Sequence, residues 1–213
     1  MTPIFITGIG TDVGKTIVSA IITEALQANY WKPIQAGFSN GTDALQIKNL
    51  ISNTKTVIHS EVYKLKMPAS PHIAAREENI KINLQRITDT YSKFKIQHST
   101  LIIEGAGGLL VPLNEKEFVT DLILKLNAKV ILVSRNYLGS INHSLLTAEV
   151  CKQKNIEVLG WIFNDQYLQY EDEIVCWSGF QKIASIPSTE KITKEFITLQ
   201  AEKIKPSLLK VIE

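Results

Sequence analysis

GIGTDVGKT, at residues 8–16, follows a short apolar run at residues 3–6 and precedes an apolar, periodic stretch at residues 17–26. This order predicts a strand, a glycine-rich loop and a helix, which is the arrangement of a phosphate-binding loop. The backbone N–H groups of such a loop converge at a helix N-terminus, where partial positive charge holds phosphate oxygens. We therefore predict that Lys15 contacts the β- and γ-phosphates of a nucleotide and that Thr16 binds its magnesium ion.

The loop departs from the strict phosphate-loop pattern by one residue. Gly8 lies one position too early, and Ile9 occupies the place where the first glycine is expected. A glycine-rich turn that merely joins a strand to a helix would account for the glycines, but it would leave the Gly-Lys-Thr at the helix start unexplained. The position of the strand and the helix therefore favours nucleotide binding.

The composition is typical of a small enzyme. A chain of 213 residues with 45% hydrophobic content can bury one sizeable core, so we expect a single α/β domain over residues 1–213. The formal charge of +2 is close to balance, and basic residues are interspersed with acidic ones. This distribution gives no basis for a nucleic-acid partner or a membrane surface.

The absence of a recognisable targeting signal and the small number of cysteines predict a cytoplasmic location. The N-terminus has no charged region followed by a long apolar one, and no uninterrupted apolar stretch reaches the length of a membrane span. The two cysteines, Cys151 and Cys176, lack the spacing of a metal site. Reduced thiols in a cytoplasmic protein are the expected state.

Short apolar segments rich in Ile and Val alternate with helical patterns along most of the chain. The predicted strands are residues 3–7, 30–34, 100–104, 129–134, 158–163 and 182–186. The predicted helices are residues 16–28, 43–51, 84–94, 120–126, 141–154 and 191–204, and residues 53–83 form the least regular region. The alternation predicts a doubly wound, mostly parallel sheet with helices on both faces, of the P-loop NTPase type. Ligands of such a sheet bind at the carboxyl ends of its strands.

An acidic residue, Glu104, ends one of these apolar strands, and the glycine-rich sequence GAGG follows it at residues 105–108. A carboxylate at such a strand end can hold magnesium, and the glycines let a substrate approach the backbone. The alternative is a solvated glutamate in an ordinary loop. Asp43 is a second carboxylate candidate, although it could equally be a first-turn helix residue that interacts with the helix dipole.

Lys32 lies at the end of the second predicted strand, next to Pro33. At that position its side chain could point into the same ligand cavity as the phosphate loop. A compact positive charge there suits an anion or a transferring phosphoryl group. An ordinary surface lysine is the alternative, and the position alone does not choose between the two.

Six motifs, taken together and in this order, resemble dethiobiotin synthetase. They are GxxTDVGKT at residues 8–16, KPIQAG at 32–37, SPH at 70–72, EGAGG at 104–108, LGSINH at 138–143 and GWIFND at 160–165. The resemblance extends from residue 3 to about residue 187, and the extra residue of the phosphate loop also belongs to that family.

The resemblance implies an ATP-dependent ring closure in biotin synthesis. Its substrates are 7,8-diaminopelargonate, CO2 and ATP, with Mg²⁺ as the cofactor, and its products are dethiobiotin, ADP and phosphate. In the family's route an amine of the substrate becomes a carbamate, the carbamate attacks the γ-phosphate, and the second amine closes the cyclic urea. A homodimer with the active site at the subunit interface is also implied.

The resemblance also implies roles for individual residues. The implied catalytic residues are Lys32, Lys15 and Thr11, and the implied metal ligands are Thr16, Asp43 and Glu104. The implied ATP-binding residues are Asp12, Val13, Gly14, Lys15, Thr16, Ile17, Asp43, Glu104, Asn164, Asp165, Ile186, Pro187 and Ser188. The implied substrate-binding residues are Thr11, Lys32, Ala36, Gly139, Ser140 and Asn142.

Ala36 departs from the pattern of some relatives, and the segment at Gly139 and Ser140 has a second interpretation. Ala36 stands where some relatives have a hydroxyl residue that contacts the substrate, so that side-chain hydrogen bond is absent, and Gln35 or the backbone could substitute for it. In the family, the loop at Gly139 and Ser140 faces the active site of the other subunit and presents backbone N–H groups to the substrate carboxylate. From the residues alone, Ser140 or Asn142 could instead be a helix cap.

Two other functions would also use a nucleotide-binding core of this type. A nucleotide-switch ATPase of the partition or division-site type usually has an additional lysine early in its phosphate loop, where this chain has Gly10. An amidating synthase acting on a cobalt-corrin precursor needs a glutamine-hydrolysing unit with a reactive cysteine. Cys151 lies within a predicted helix and Cys176 lacks a recognisable nucleophile turn, so neither fits that role.

Overall fold

The computed structural model describes residues 3–94, 100–165 and 167–212. Within these residues the strands are β1 (Ile4–Gly8), β2 (Asn29–Trp31), β3 (Ile34–Ala36), β4 (Ile58–His59), β5 (Tyr63–Leu65), β6 (Leu101–Gly108), β7 (Lys129–Arg135), β8 (Val158–Asn164) and β9 (Lys182–Ile186). The helices are α1 (Lys15–Leu26), α2 (Asp43–Leu50), α3 (Pro71–Glu77), α4 (Leu84–Ser92), α5 (Val119–Lys125), α6 (Ser140–Gln153), α7 (Glu171–Ser178) and α8 (Lys194–Ile212).

The described strands form a parallel sheet of seven in the order β4-β2-β6-β1-β7-β8-β9, and β3 and β5 pair separately in parallel. The central strands are apolar on both faces because helices cover both, and this confirms the predicted doubly wound α/β fold. Because β1 and β6 are parallel neighbours, the loops that follow them open at the same edge of the sheet. The strand order reverses beside β1, which is where ligands of such sheets bind.

Two hydrophobic layers lie on opposite faces of this sheet. Successive side chains of a strand point to opposite faces, and in β1 Phe5 packs into one layer while Ile4 and Ile6 pack into the other. The layer around Ile6 includes residues of α1, α2 and α8, and the layer around Phe5 includes residues of α3 to α7. These layers hold the ends of β1, β2 and β6 in a fixed relation.

The structure corrects several predicted elements. The predicted strand at residues 30–34 is interrupted, because β2 ends at Trp31 and β3 begins at Ile34 in a different sheet. Pro33 lies in the break and has no N–H group to donate to a strand ladder. The region at residues 53–83 contains β4, β5 and α3, α7 was not predicted, and α8 continues to Ile212 through Pro206.

None of the described helices combines the length and the apolar character that are needed to cross a membrane.

Candidate active site

The phosphate loop joins β1 to α1. Gly14 precedes the helix with φ of 88° and ψ of 22°, a left-handed conformation that favours glycine. A Cβ atom on Gly14 would also collide with the side chain of Asn164. Among the described residues no side chain caps the N-terminus of α1, so the N–H groups of its first turn point toward a space that an anion can fill.

Lys15 is the first residue of α1 and is buried. Its Nζ donates a hydrogen bond of 2.7 Å to the carbonyl oxygen of Gly10, across the loop. Burial lowers the pKa of Lys15 from 10.5 to about 8, and the positive charge of Lys32 acts in the same direction against the carboxylates nearby. An anion in the loop would favour the charged form of this lysine.

Four side chains from different elements converge next to the loop. Thr16 Oγ1 donates to Asp43 Oδ1 at 3.1 Å and lies 2.9 Å from Glu104 Oε1. Lys32 Nζ is 2.9 Å from the same Glu104 oxygen and also forms an ion pair with Asp43. Glu104 is 1% exposed and Lys32 is 6% exposed. The alternatives of a solvated glutamate and a surface lysine are therefore wrong.

The electrostatics of this cluster follow from burial and from pairing. Burial by itself lowers the pKa of Lys32, but the charges and hydrogen bonds of Glu104 and Asp43 outweigh it, so the pKa is raised overall. Burial by itself raises the pKa of Asp43, but Lys32 and hydrogen bonds from Thr16 and Gln35 lower it overall. Lys32 and Asp43 are thus held in their charged forms.

The second carboxylate is positioned by its own helix and by β3. Asp43 begins α2, and Thr42 caps that helix by accepting a hydrogen bond from the Leu45 N–H at 3.2 Å. Gln35 Oε1 accepts the backbone N–H of Asp43 at 3.1 Å, while Gln35 Nε2 donates to the Gly37 carbonyl at 2.8 Å. Asp43 is therefore both a first-turn helix residue and a member of the charged cluster.

A cavity of about 820 Å³ lies over this cluster. Its lining includes Thr11 and Ala36 from the predicted site, together with residues of the phosphate loop and the segment at residues 68–71. It also includes side chains that the sequence did not assign to a site, which are Gln46 and Val111. They follow no motif, and only the packing of α2 and of the loop after β6 brings them to the cavity.

A neighbouring cavity of about 340 Å³ is lined by most of the residues predicted to surround the base. Predicted residues on its wall are Asp12, Val13, Gly14, Ile17, Asn164, Asp165, Ile186, Pro187 and Ser188. Asn164 Nδ2 donates to the Val13 carbonyl at 2.6 Å, which links β8 to the phosphate loop. The sequence did not predict the remaining lining residues, Arg135, Thr189, Ile192 and Phe196.

The predicted substrate-binding residues Gly139, Ser140 and Asn142 line neither cavity. Gly139, with φ of 101°, is the N-cap of α6, so the alternative of Ser140 or Asn142 as the cap is wrong. Ser140 is buried, and its Oγ lies 2.6 Å from the hydroxyl of Tyr170. The preceding residue, Leu138, is 88% exposed. Within the described part of one chain, this segment therefore stays apart from the charged cluster.

The oxygen atoms of this cluster suit a magnesium ion that a nucleotide binds at the same time. Thr16, Asp43 and Glu104 place hydroxyl and carboxylate oxygens around one point, and oxygen ligands are those that Mg²⁺ prefers. Among the described residues no three His, Cys, Asp or Glu side chains form a metal-binding group. Protein-bound Mg²⁺ commonly takes one or two carboxylates and completes its shell with water and substrate phosphates, so the donor set fits a nucleotide-bound ion.

Comparison with known proteins identifies relatives over nearly the whole chain. A family model described as AAA domain (AAA_26) matches residues 2–196. The chain is 48% identical over 207 residues to the ATP-dependent dethiobiotin synthetase BioD of Cytophaga hutchinsonii, covering 96% of this chain and 97% of the relative. It is 44% identical over 208 residues to the protein of the same name from Christiangramia forsetii, covering 97% and 98%.

Solved structures show the same fold at low sequence identity. The septum site-determining protein MinD of Pyrococcus horikoshii OT3, solved with Mg-ADP, has a TM-score of 0.62 at 18% identity and covers 97% of this chain and 90% of its own. A chain of the MinC:MinD cell division protein complex of Aquifex aeolicus has a TM-score of 0.64 at 15% identity, covering 100% of this chain and 96% of its own. At these identities the likeness establishes the fold alone.

The structure also bears on the amidating alternative. Cys151 is buried in α6, and burial raises the pKa of its thiol to about 12. A thiol that stays protonated at neutral pH is a poor nucleophile, so Cys151 does not supply the reactive cysteine that this alternative needs.

Proposed function

Because the chain belongs to the AAA domain family and to the ATP-dependent dethiobiotin synthetases, we propose that it closes the ureido ring of dethiobiotin. The substrates are 7,8-diaminopelargonate, CO2 and ATP, and the other products are ADP and phosphate. The observation that carries the proposal is the convergence of Lys15, Lys32, Thr16, Asp43 and Glu104 on one cavity. That cavity has room for a phosphate chain and a second substrate.

The reaction has three steps, and each creates or moves negative charge. One amine of the diamine attacks CO2 and loses a proton, which gives a carbamate. A carbamate oxygen attacks the γ-phosphorus of ATP, and the bond from that phosphorus to the ADP oxygen breaks. The second amine then attacks the carbonyl carbon of the carbamic-phosphoric anhydride, phosphate leaves with the C–O bond electrons, and the amine loses a proton.

The cationic residues stabilise these charges. Lys15, whose Nζ donates to the Gly10 carbonyl across the loop, would also reach the β- and γ-phosphate oxygens. Lys32 lines the same cavity as the phosphate loop and would face the carbamate and the transferred phosphoryl group. Positioned charges in a site with little water need little reorganisation as the reaction proceeds, which is the main source of rate in phosphoryl transfer.

Thr16, Asp43 and Glu104 would hold the magnesium ion that accompanies ATP. When bound, Mg²⁺ neutralises phosphate charge and thereby assists attack at the γ-phosphorus. Lys32 bridges Asp43 and Glu104, so its single positive charge offsets part of the negative charge of the two carboxylates.

The remaining parts of the proposal concern the base and the second subunit. Asn164 and the segment at residues 186–188 would contact adenine in the smaller cavity. Gly139, Ser140 and Asn142 would bind the substrate carboxylate in the active site of a second copy, with Thr11 and Ala36 beside the diamine. A homodimer is consistent with the exposed Leu138 next to this segment, and its expected location is the cytoplasm.

The test is phosphate release by the purified protein with ATP, magnesium and bicarbonate, with and without 7,8-diaminopelargonate, coupled to mass detection of dethiobiotin. We expect release that depends on the diamine and matches the product in amount. Release that is indifferent to the diamine, with no cyclic urea formed, would refute the synthetase and favour a switch ATPase.

A further inference from the structure

The Glu104 carboxylate is bound on both of its oxygens, and the two oxygens have different partners. Oε1 lies 2.9 Å from both Thr16 Oγ1 and Lys32 Nζ. Oε2 accepts a hydrogen bond of 2.9 Å from the hydroxyl of Tyr30, and among the described residues this is its only donor. One oxygen therefore faces the cavity and its cations, and the other is anchored within the sheet.

Strand register explains why Tyr30 reaches Glu104. In the parallel pair of β2 and β6, Tyr30 lies beside Ile102. Side chains two residues apart along a strand lie on the same face of the sheet, so Glu104 is on the face of Ile102. Lys32, two residues after Tyr30, is on the face of Tyr30 for the same reason. The Tyr30 ring is 0% exposed and packs in the hydrophobic layer that includes Ile6 and Ile102. The hydroxyl thus comes from a rigid, fully buried support.

We propose that Tyr30 is a positioning residue that fixes the Glu104 carboxylate with Oε1 turned toward Thr16 and the bound nucleotide. This inference rests on the proposed function, in which Glu104 helps to hold magnesium. Tyr30 does not touch the reacting atoms, and it acts through the carboxylate alone.

Removing the hydroxyl would have two effects on Glu104. Oε2 would remain buried without a donor, which is unfavourable for a charged group. The carboxylate would also be free to turn toward its remaining donors, Thr16 and Lys32, so less of it would be available to a cation. Partners that orient a metal ligand commonly change metal affinity by about 10- to 100-fold, and we expect about tenfold weaker divalent-ion binding.

The chain offers a matched control for this change. Tyr63 in β5 is also buried, and its hydroxyl accepts the backbone N–H of Asn83 at 2.9 Å, but it does not line the cavity of the charged cluster. Tyr63→Phe removes the same group from a comparable environment. A general loss of stability would affect both variants, whereas loss of carboxylate positioning would affect Tyr30→Phe alone.

The experiment measures Mn²⁺ binding by electron paramagnetic resonance to full-length protein saturated with a non-hydrolysable ATP analogue. We expect about tenfold weaker binding for Tyr30→Phe and wild-type binding for Tyr63→Phe. The Mg²⁺ concentration for half-maximal dethiobiotin formation should rise by the same factor, with kcat at saturating Mg²⁺ little changed. If Tyr30→Phe is unstable, Tyr30→Met gives a second variant without the hydroxyl.

A double variant separates action through Glu104 from other effects. If Tyr30 acts through that carboxylate, Tyr30→Phe should cause no further weakening in a Glu104→Gln background. Equal weakening in both backgrounds, or Mn²⁺ binding by Tyr30→Phe equal to wild type, would overturn the inference while leaving the synthetase proposal intact. If the wild-type protein forms no dethiobiotin, the proposed function is refuted. If the wild-type protein with bound nucleotide does not bind Mn²⁺, the inference about Tyr30 is overturned.

Discussion

The two ends of the predicted nucleotide site are built differently. At the phosphate end, Lys15, Lys32 and Glu104 are buried and each is bound to a neighbouring oxygen or cation. At the base end, the cavity wall combines apolar side chains with loop residues, and Asn164 supplies the hydrogen bond to the phosphate loop. Charged groups need fixed partners to be buried, whereas a flat base needs mainly shape and apolar contact. Changes at the phosphate end should therefore have the larger effects.

The largest effect is expected for Lys15→Ala. This change removes the cation that contacts the β- and γ-phosphates, and kcat for dethiobiotin formation should fall by about 10³-fold. Steady-state kinetics measure it, with Lys55→Ala, at an exposed position, as the control that should match wild type. Wild-type turnover by Lys15→Ala would show that the phosphate end does not depend on this lysine.

The next effect is expected for Glu104→Gln. The amide keeps the size of the side chain but loses the charge that attracts Mg²⁺, so the Mg²⁺ concentration for half-maximal rate should rise at least about tenfold. Titration of the rate with Mg²⁺ at saturating ATP measures it. Glu149→Gln, on the exposed side of α6, serves as the control. An unchanged Mg²⁺ requirement would remove Glu104 from the proposed metal ligands.

The affinity for ADP should depend on pH because of Lys15 at the phosphate end. Because burial lowers the pKa of Lys15 to about 8, this lysine loses its proton above that pH in the free protein, while the phosphate-bound form requires the proton. ADP affinity should therefore be highest below pH 8 and fall by about tenfold between pH 7 and pH 9.

Calorimetry in buffers with different ionisation heats measures this effect as proton uptake on ADP binding at pH 8. Asn164→Ala, which leaves Lys15 and its hydrogen bond to the Gly10 carbonyl in place, should keep the same uptake. Binding without proton uptake, at an affinity that stays constant over this range, would contradict the expected role of Lys15.

The smallest effect is expected at the base end, for Asn164→Ala. The change removes one hydrogen bond to the Val13 carbonyl and a polar contact available to adenine, worth about 1 kcal/mol. The KM for ATP should rise about fivefold, with kcat almost unchanged. Thr88→Ala, which also removes a hydroxyl bonded to a backbone carbonyl but lines neither cavity, is the control. A loss of kcat as large as that of Lys15→Ala would erase the difference between the two ends.

The sequence predicted the phosphate loop well because a loop motif is local. Gly14, Lys15 and Thr16 are adjacent in the chain, and the flanking apolar patterns place them between a strand and a helix. It predicted the region at residues 53–83 poorly, since β4 and β5 are two and three residues long and leave almost no periodic signal. The helix α7 was missed because only one of its buried residues, Ile174, is apolar, so its sequence carries no helical apolar period.

The sequence by itself determined the fold class, the phosphate loop and the list of polar side chains that follow the strands, because each is encoded in short patterns. Only the tertiary structure decided which of these side chains meet. Lys32 and Glu104 are 72 positions apart, and they touch because β2 lies beside β6. The same neighbourhood gives Tyr30 its contact with Glu104. Strand order and register depend on the packing of the whole sheet, and no local pattern encodes them.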